Sequence, residues 1–245
     1  MWGGEWEVRW FEEIDSTNNY LRGEARRGAP EGVVAVADHQ TAGRGRLDRR
    51  WEAPPRASLL ASVLFRPEFD PAELHLCTAA MALAAAEACR EVARVGPVLK
   101  WPNDLLVGEA KLAGVLAEAE FEGSSCSVVV GIGINLAWPG PAGVGGTCLD
   151  ELCGEAVDPK TVLDALLTAL SPRRALLDTP EGRRTVASEL RERCATLGQR
   201  VRVEMASEAV VGLATEIDDA GHLVVRTADG PRTVSAGDVV HLRPS

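Results

Sequence analysis

Lysine is scarce in this chain of 245 residues. Of its 26 basic residues, only Lys100, Lys111 and Lys160 are lysine. Because 36 acidic residues outweigh the basic ones, the formal net charge is -10, and such a surface disfavours non-specific binding to nucleic acid. A lysine retained among so many arginines is expected to serve a chemistry that needs a compact ammonium rather than a planar guanidinium.

Several common site signatures are also missing. The six cysteines form no Cys-x-x-Cys pair, so zinc-ligand spacing is absent. The chain contains no P-loop sequence, no Rossmann glycine fingerprint and no Gly-x-Ser-x-Gly elbow. The start "MWGGEWEVRW" has no apolar signal core, and no apolar run approaches the ~20 residues that span a bilayer. We therefore expect a cytoplasmic protein with reduced, mostly buried thiols and no membrane partner.

The hydrophobic pattern predicts two domains, residues 1–197 and 198–245. In the first, alternating or apolar runs predict strands and 3.6-residue periodicity predicts helices. The predicted strands are "EWEVRWFEE", "GVVAVAD", "ASLLASVLF", "VLKWPNDLLV", "KLAGVLAEAEF" and "CSVVVGIGINL". Helices are predicted after an N-cap at Asp15 or Ser16, after Asp70, and twice between Pro159 and Leu197. After Gly198, four short alternating strands separated by turn signals predict a small β-barrel.

The stretch "HQTAGRGRLDRRW", residues 39–51, concentrates positive charge in an acidic protein. Glycine permits backbone movement and close approach to a ligand, while arginine presents a planar fork of donors to carboxylate or phosphate oxygens. Either a mobile anion clamp or a solvated turn with scattered arginines fits this stretch taken alone.

Four unusual segments occur in one order along the chain. They are "DSTN" (15–18), "QTAGRGR" (40–46), "KWPND" with "KLAG" (100–104 and 111–114), and "GIGIN" (131–135). In order and spacing they resemble the signatures of the biotin protein ligases. The resemblance covers residues 15–135, and the C-terminal barrel fits it as well.

The resemblance implies an α+β fold, with a mixed, largely antiparallel sheet and helices similar to class II tRNA synthetases, followed by an SH3-like barrel. It also implies a two-step reaction. The carboxylate of biotin attacks the α-phosphorus of ATP, with Mg²⁺ on the phosphates, to give biotinyl-5′-AMP and pyrophosphate. A lysine amine on a biotin carboxyl carrier domain of acetyl-CoA carboxylase or a related carboxylase then attacks the mixed anhydride.

Residue roles follow from the same resemblance. The expected catalytic residues are Arg44, Lys111 and Asp104. Biotin-binding residues are expected to be Ser16, Thr17, Asn18, Gln40, Gly43, Arg44, Gly45, Arg46, Lys111 and Gly114. Adenylate-binding residues are expected to be Arg44, Arg49, Trp51, Asn103, Lys111, Gly133 and Asn135. The resemblance leaves the metal ligands unassigned.

These residue types suit the chemistry. A carboxylate approaching a phosphate chain is repelled unless fixed positive charge screens it, and Arg44 and Lys111 supply such charge. Asp104 orients the acceptor lysine, helps to hold the metal, or is a turn residue. Trp51 and Trp101 either stack on a ligand ring or pack in the core. Because the mixed anhydride is vulnerable to water, we expect the arginine-rich loop to be disordered without ligand and ordered over the adenylate.

Two alternative functions remain open from the sequence. A lipoate or octanoate ligase or transferase would share the fold, but its site would be more uniformly apolar than one containing Ser16, Thr17 and Gln40. A non-catalytic sensor of biotin or a nucleotide would not need both Arg44 and Lys111. Since "DSTN" begins at residue 15, we expect no N-terminal DNA-binding domain, no operator binding, and a monomer or weak dimer.

Overall fold

A computed structural model describes residues 5–47, 49–123, 125–143, 145–205 and 208–242. Its larger sheet has seven strands in the order β1–β2–β3–β7–β6–β5–β4. These strands are β1 (Glu7–Ile14), β2 (Val33–Gln40), β3 (Ser58–Phe65), β4 (Val98–Lys100), β5 (Asp104–Val107), β6 (Ala110–Glu122) and β7 (Ser125–Asn135). The β1–β2 pair is parallel, and the other pairs are antiparallel. This arrangement is the mixed, largely antiparallel sheet that the sequence predicts.

Five α-helices accompany the sheet in the described residues. They are α1 (Thr17–Arg26), α2 (His75–Ala93), α3 (Leu149–Cys153), α4 (Pro159–Leu177) and α5 (Pro180–Arg193). Helix α1 begins where Ser16 accepts a hydrogen bond from the backbone of Asn19, as expected of an N-cap serine. It ends near Gly28, whose positive φ of 83° suits glycine.

Two apolar clusters place α1 and α2 on opposite faces of the sheet. In the smaller cluster, Leu21 of α1 packs with strand residues that include Leu64 of β3 and Val129 of β7. The larger cluster contains the small and apolar side chains of α2 together with α4, α5 and the C-terminal strands. Strand β3 is buried along its whole length because it is covered on both faces.

The C-terminal region forms a five-stranded antiparallel sheet in the order β11–β10–β9–β8–β12. Its strands are β8 (Arg200–Glu204), β9 (Ala209–Ile217), β10 (Leu223–Thr227), β11 (Gly230–Val234) and β12 (Asp238–His241). This small sheet contacts the larger one through Trp101, whose Nε1 donates to the carbonyl of Gly221 at 3.0 Å. Trp101 is 1% exposed and lines neither of the cavities described below, so it packs in the core.

Some local expectations were wrong. The predicted strand "VLKWPNDLLV" is two short strands, β4 and β5, because a turn at residues 101–103 interrupts it. The last predicted strand likewise divides into β11 and β12. At Asp70 the chain first forms one 3₁₀ turn, Pro71–Glu73, before α2 begins. The boundary of the two domains at residue 198 stays a prediction.

The helical stretch that the sequence predicts after Asp70 is long and apolar. By length and composition Pro71–Ala93 could cross a membrane, with a mean hydropathy of 1.2 over its most apolar window. However, 72% of that window is buried inside the protein. Burial of this kind is usual for the core helix of a globular protein, so the stretch is weak evidence for a membrane.

Candidate functional site

Two adjoining cavities open on the α1 side of the large sheet. The larger, here the large cavity, has a volume of about 240 Å³. The smaller, here the groove, has a volume of about 30 Å³. Four residues line both, namely Arg44, Trp51, Gly114 and Leu116. A ligand could therefore extend from one cavity into the other past Arg44 and Trp51.

The groove combines a polar end with a flat apolar floor. Its polar residues come from the start of α1 and the end of β2, because the parallel β1–β2 pair brings Ser16 and Gln40 together. Gln40 Oε1 accepts from the backbone nitrogen of Thr17 at 2.7 Å and from its Oγ1 at 3.0 Å. Thr17 and Asn18 are almost completely buried, and Ser62 donates to one or the other from β3. Such a set offers both donors and acceptors to a polar ring.

Glycines in β6 and β7 make room for Trp51. A Cβ on Gly114 would lie 3.1 Å from the Cζ3 atom of Trp51, and one on Gly133 would lie 2.6 Å from its Cζ2 atom. The indole consequently lies over two strand positions that lack side chains. Its Nε1 is buried and has no hydrogen-bond partner in the described part of the chain, which is the state expected of a donor that meets a ligand.

In the described residues of the arginine-rich loop, 39–47 and 49–51, the two sides lie close together. The backbone nitrogen of Gly45 donates to Arg49 at 2.7 Å, and that of Trp51 donates to Gly43 at 3.1 Å. Gly43 has no positive φ; instead, a Cβ there would collide with the backbone of Trp51. Close backbone approach is thus the structural reason for a glycine at this position.

Arg44 lies where the two cavities meet. Its Nη2 forms an ion pair with Glu118, while its Nε is buried without a partner among the described residues. The guanidinium therefore keeps donors available towards the cavities, which suits it to bind an anion.

Lys111 and Asp104 face each other in the large cavity. Lys111 Nζ is 2.6 Å from Asp104 Oδ1 and 5.7 Å from the centre of a Trp51 ring. The neighbouring strands β5 and β6 bring them together. The ammonium is thus held by a carboxylate and an aromatic face.

The C-terminal sheet contributes the far wall of the large cavity. Asp238 lines it and forms an ion pair with Arg49, while Arg46 donates to the carbonyl of Gly237 at 3.1 Å. Arg46 also donates to Asn103 Oδ1 at 3.1 Å. Burial lowers the pKa of the Arg46 guanidinium, and the charge of Asp238 opposes that effect.

Nearly all of the predicted site residues lie around these cavities. The groove is lined by Ser16, Thr17, Asn18, Gln40, Arg44, Trp51, Gly114 and Gly133, and the large cavity by Arg44, Gly45, Arg46, Arg49, Trp51, Asn103, Asp104, Lys111, Gly114 and Asn135. Gly133, predicted to bind the nucleotide, lines the groove alone, where it lies against Trp51. Gly45, Arg46 and Lys111, predicted to bind biotin, line the large cavity alone. Gly43 lines neither.

Sequence reasoning missed the segment after β7. Pro139, Gly140, Pro141 and Gly146 line the large cavity. The segment is fixed there because the backbone of Lys111 pairs with it, donating to Gly145 at 3.0 Å and accepting from Thr147 at 2.9 Å. Asn135 Nδ2 also donates to Thr147, at 3.0 Å. The glycine and proline content predicted a loop but not its position.

Comparisons with known proteins agree with this arrangement. Residues 10–135 match the biotin/lipoate A/B protein ligase family, and residues 196–242 match the biotin protein ligase C-terminal domain. The biotin–[acetyl-CoA-carboxylase] ligase of Mycobacterium tuberculosis is 39% identical over 94% of this chain and 87% of its own. That of Paracoccus denitrificans is 35% identical over 92% and 96%. A biotin protein ligase from Aquifex aeolicus, solved with biotin and ATP, superposes with a TM-score of 0.82 at 28% identity, covering 97% of this chain and 99% of that one.

The mixed sheet, the C-terminal sheet and the two joined cavities define an enzyme of the biotin or lipoate ligase class. Both family matches and the identity with curated relatives narrow the class further. The chain belongs to the biotin protein ligase family.

Proposed function

We propose that this protein attaches biotin to a lysine of a carboxylase carrier domain, using ATP and passing through biotinyl-5′-AMP. The observation that carries the proposal is the junction of the two cavities at Arg44 and Trp51. A polar-ended groove suits a ureido ring, and a neighbouring cavity lined by arginine and lysine suits a phosphate chain. The names of the M. tuberculosis and P. denitrificans relatives support carboxylases as the source of the acceptor.

The groove is assigned to biotin. The ureido ring has two N–H donors and one carbonyl acceptor, and the polar end supplies partners for both from Ser16, Thr17, Asn18 and Gln40. Gly131 and Gly133 add no side chains to the floor, which Asn18 and the Trp51 indole cover, so we infer that the indole moves when the fused rings enter. A lipoyl or octanoyl chain offers no ureido donors or acceptor to these polar groups, which disfavours the lipoate alternative.

In the first step, a carboxylate oxygen of biotin bonds to the α-phosphorus of ATP, and the bond to pyrophosphate breaks. Arg44 lies where these two anions meet, and Lys111 lies in the cavity assigned to ATP. Their fixed charges screen the repulsion and stabilise the transition state. The carboxylate of Asp104, 2.6 Å from Lys111 Nζ, orients that ammonium.

Magnesium enters as part of the MgATP substrate. The described residues contain no cluster of three His, Cys, Asp or Glu side chains that could hold a metal ion. Of the carboxylates that line the large cavity, Asp104 and Asp238 are engaged by cationic side chains. This donor set fits an ion that keeps phosphate oxygens and water as most of its ligands.

In the second step, the acceptor lysine amine bonds to the acyl carbon, and AMP leaves. We infer that the arginine-rich loop opens for this exchange and closes over the adenylate, which keeps water from the anhydride. Limited proteolysis tests the inference. Cleavage within residues 39–51 should slow when biotin and MgATP are added, and equal rates with and without them would contradict it.

The defining experiment is a biotinylation assay with purified protein, biotin, MgATP and a carboxylase carrier domain, read by streptavidin blot. Labelled carrier and released pyrophosphate are expected. Arg44→Ala and Lys111→Ala should each slow adenylate formation by about 10²- to 10³-fold, the usual cost of removing one preorganised charge donor. Lys160→Ala is the control, because Lys160 is exposed in the first turn of α4 and lines neither cavity.

Outcomes of this assay separate the alternatives. Carrier labelled with lipoate or octanoate but not with biotin would favour the lipoate reading. Binding of biotin without pyrophosphate release would favour a sensor. We also propose that residues 1–197 carry the catalytic chemistry, and that residues 198–245 form the SH3-like domain whose Asp238 completes the nucleotide cavity.

A further inference from the structure

Glu118 lines neither cavity, but it contacts Arg44, which lines both, and Asn18, which lines the groove. It lies on β6, on the face turned towards α1, and its side chain is 20% exposed. Its Oε2 forms an ion pair with Arg44 and accepts from Asn18 Nδ2 at 2.9 Å. Its Oε1 accepts from Arg22 Nη1 at 3.2 Å. One carboxylate thus links the cavity junction with the polar end of the groove.

For Arg44, this contact fixes one end of the guanidinium. Since Nη2 is held by Glu118, the side chain cannot rotate freely out of the junction. A charge-assisted hydrogen bond of this kind is directional as well as attractive. The carboxylate also partly neutralises Arg44, so it should weaken the general attraction for anions while it improves their placement.

For Asn18, the same carboxylate determines which way the amide is turned. Its Nδ2 has two hydrogens, which are directed to Glu118 and to the carbonyl of Leu116 at 3.3 Å. Its Oδ1 is therefore the atom that accepts from Ser62, at 2.6 Å, and that lies against Gly131 in the groove floor. A carboxylate accepts only, so it permits this orientation of the amide and no other.

We propose that Glu118 is a positioning residue that sets both the Arg44 guanidinium and the Asn18 amide. The proposal rests on the proposed function, because it gives Glu118 a role in forming the adenylate. It acts through Arg44 and Asn18 and touches no substrate itself. Its loss should impair the chemical step more than substrate binding, because the cation remains but is no longer held in place.

The test compares Glu118→Gln with Glu120→Gln in pyrophosphate-release kinetics. Glu120 lies two residues along the same strand, pairs with Arg22 at 2.6 Å, and lines neither cavity. We expect Glu118→Gln to lower kcat by about tenfold, typical of one charge-assisted hydrogen bond. The KM for MgATP should stay the same or fall. Glu120→Gln should behave as wild type, and Glu118→Asp, which keeps the charge, should recover part of the loss in kcat.

A double variant identifies the route of the effect. In an Arg44→Ala background, Glu118→Gln should cost less than it does alone, because one of the two groups that it positions is gone. Three outcomes would each overturn the inference. Glu118→Gln could raise the KM for MgATP and leave kcat unchanged, it could lower kcat in the Arg44→Ala background as much as it does alone, or it could behave as Glu120→Gln does. Should Glu118→Gln fail to fold, Glu118→Asp takes its place, because the shorter side chain withdraws the carboxylate from Arg44. A kcat for Glu118→Asp equal to that of the wild type would then overturn the inference.

The wild-type control separates this inference from the proposed function. If the wild-type protein releases no pyrophosphate with biotin and MgATP, the proposed function fails and the role of Glu118 fails with it. If the wild type is active and Glu118→Gln matches Glu120→Gln, only the role of Glu118 fails.

Discussion

Replacing Gly133 by alanine tests whether the groove depends on the position of Trp51. A Cβ at this strand position would lie 2.6 Å from Trp51 Cζ2 and 2.8 Å from Trp51 Nε1. The φ of Gly133 is not positive, so backbone strain is not the cause. The added methyl group would occupy the space of the indole itself. Trp51 must therefore tilt away from the floor.

Two effects of known size follow. Forcing a methyl group into a packed contact costs about 1 to 3 kcal/mol of unfolding free energy. If binding loses a similar amount, the KM for biotin should rise by roughly tenfold or more, since 1.4 kcal/mol corresponds to tenfold. Urea unfolding measures the first effect, and pyrophosphate release at varied biotin concentration measures the second.

Two further variants make the prediction specific. Gly23→Ala is a matched control, because the added Cβ would meet only Arg27 at 3.5 Å and should stabilise α1 by about 0.5 to 1 kcal/mol. In a Trp51→Ala background, Gly133→Ala should no longer destabilise the protein. An equal penalty with and without the indole would refute the reasoning, as would an unchanged KM in the single variant.

Three further outcomes are expected. Lys111→Arg should lose most adenylate formation although it keeps the charge, measured by pyrophosphate release; near-normal activity would contradict the packing around Lys111. Burial lowers the pKa of His75 to about 4 from 6.5, so the unfolded chain takes up a proton first as the pH falls. The free energy of unfolding should therefore be about 2 kcal/mol lower at pH 5 than at a pH well above 6.5. In urea titrations, His75→Gln should remove that part of the pH dependence. Burial raises the pKa of Cys77 above its ordinary range and that of Cys89 to about 12, so iodoacetamide should label these two thiols only after unfolding, and rapid native labelling would contradict their burial.

The regular elements could be predicted because local signals and burial agree. The apolar run of β3 is buried throughout, and Ser16 caps α1 as its position before the helix indicates. Four sequence segments also predicted which residues would converge. Their convergence depends on strand pairing, in which Gly114 lies opposite Gly133 and Asp104 lies opposite Gly114.

Other features depend on contacts that are distant in sequence. The break between β4 and β5 follows the burial of Trp101 beneath Gly221, 120 residues away. The place of Asp238 in the large cavity likewise depends on how the small sheet docks. Glu118 resembles any exposed strand glutamate in the sequence, and only the structure shows that it meets Arg44. No local pattern encodes such contacts.

The packing around Lys111 explains why a lysine occurs at this position in a chain that has few lysines. A Cβ on Gly114 would lie 3.2 Å from both the Cε and the Nζ atoms of Lys111, so the ammonium lies against bare strand backbone. Trp51 covers it, and Asp104 binds it at 2.6 Å. A guanidinium is wider and planar, and it would have to displace the indole or lose the carboxylate to fit in this space. An arginine-rich chain therefore keeps a lysine here because a slim stem with a compact charge fits between glycine and tryptophan. This is why we expect a change that preserves the charge to abolish most of the activity.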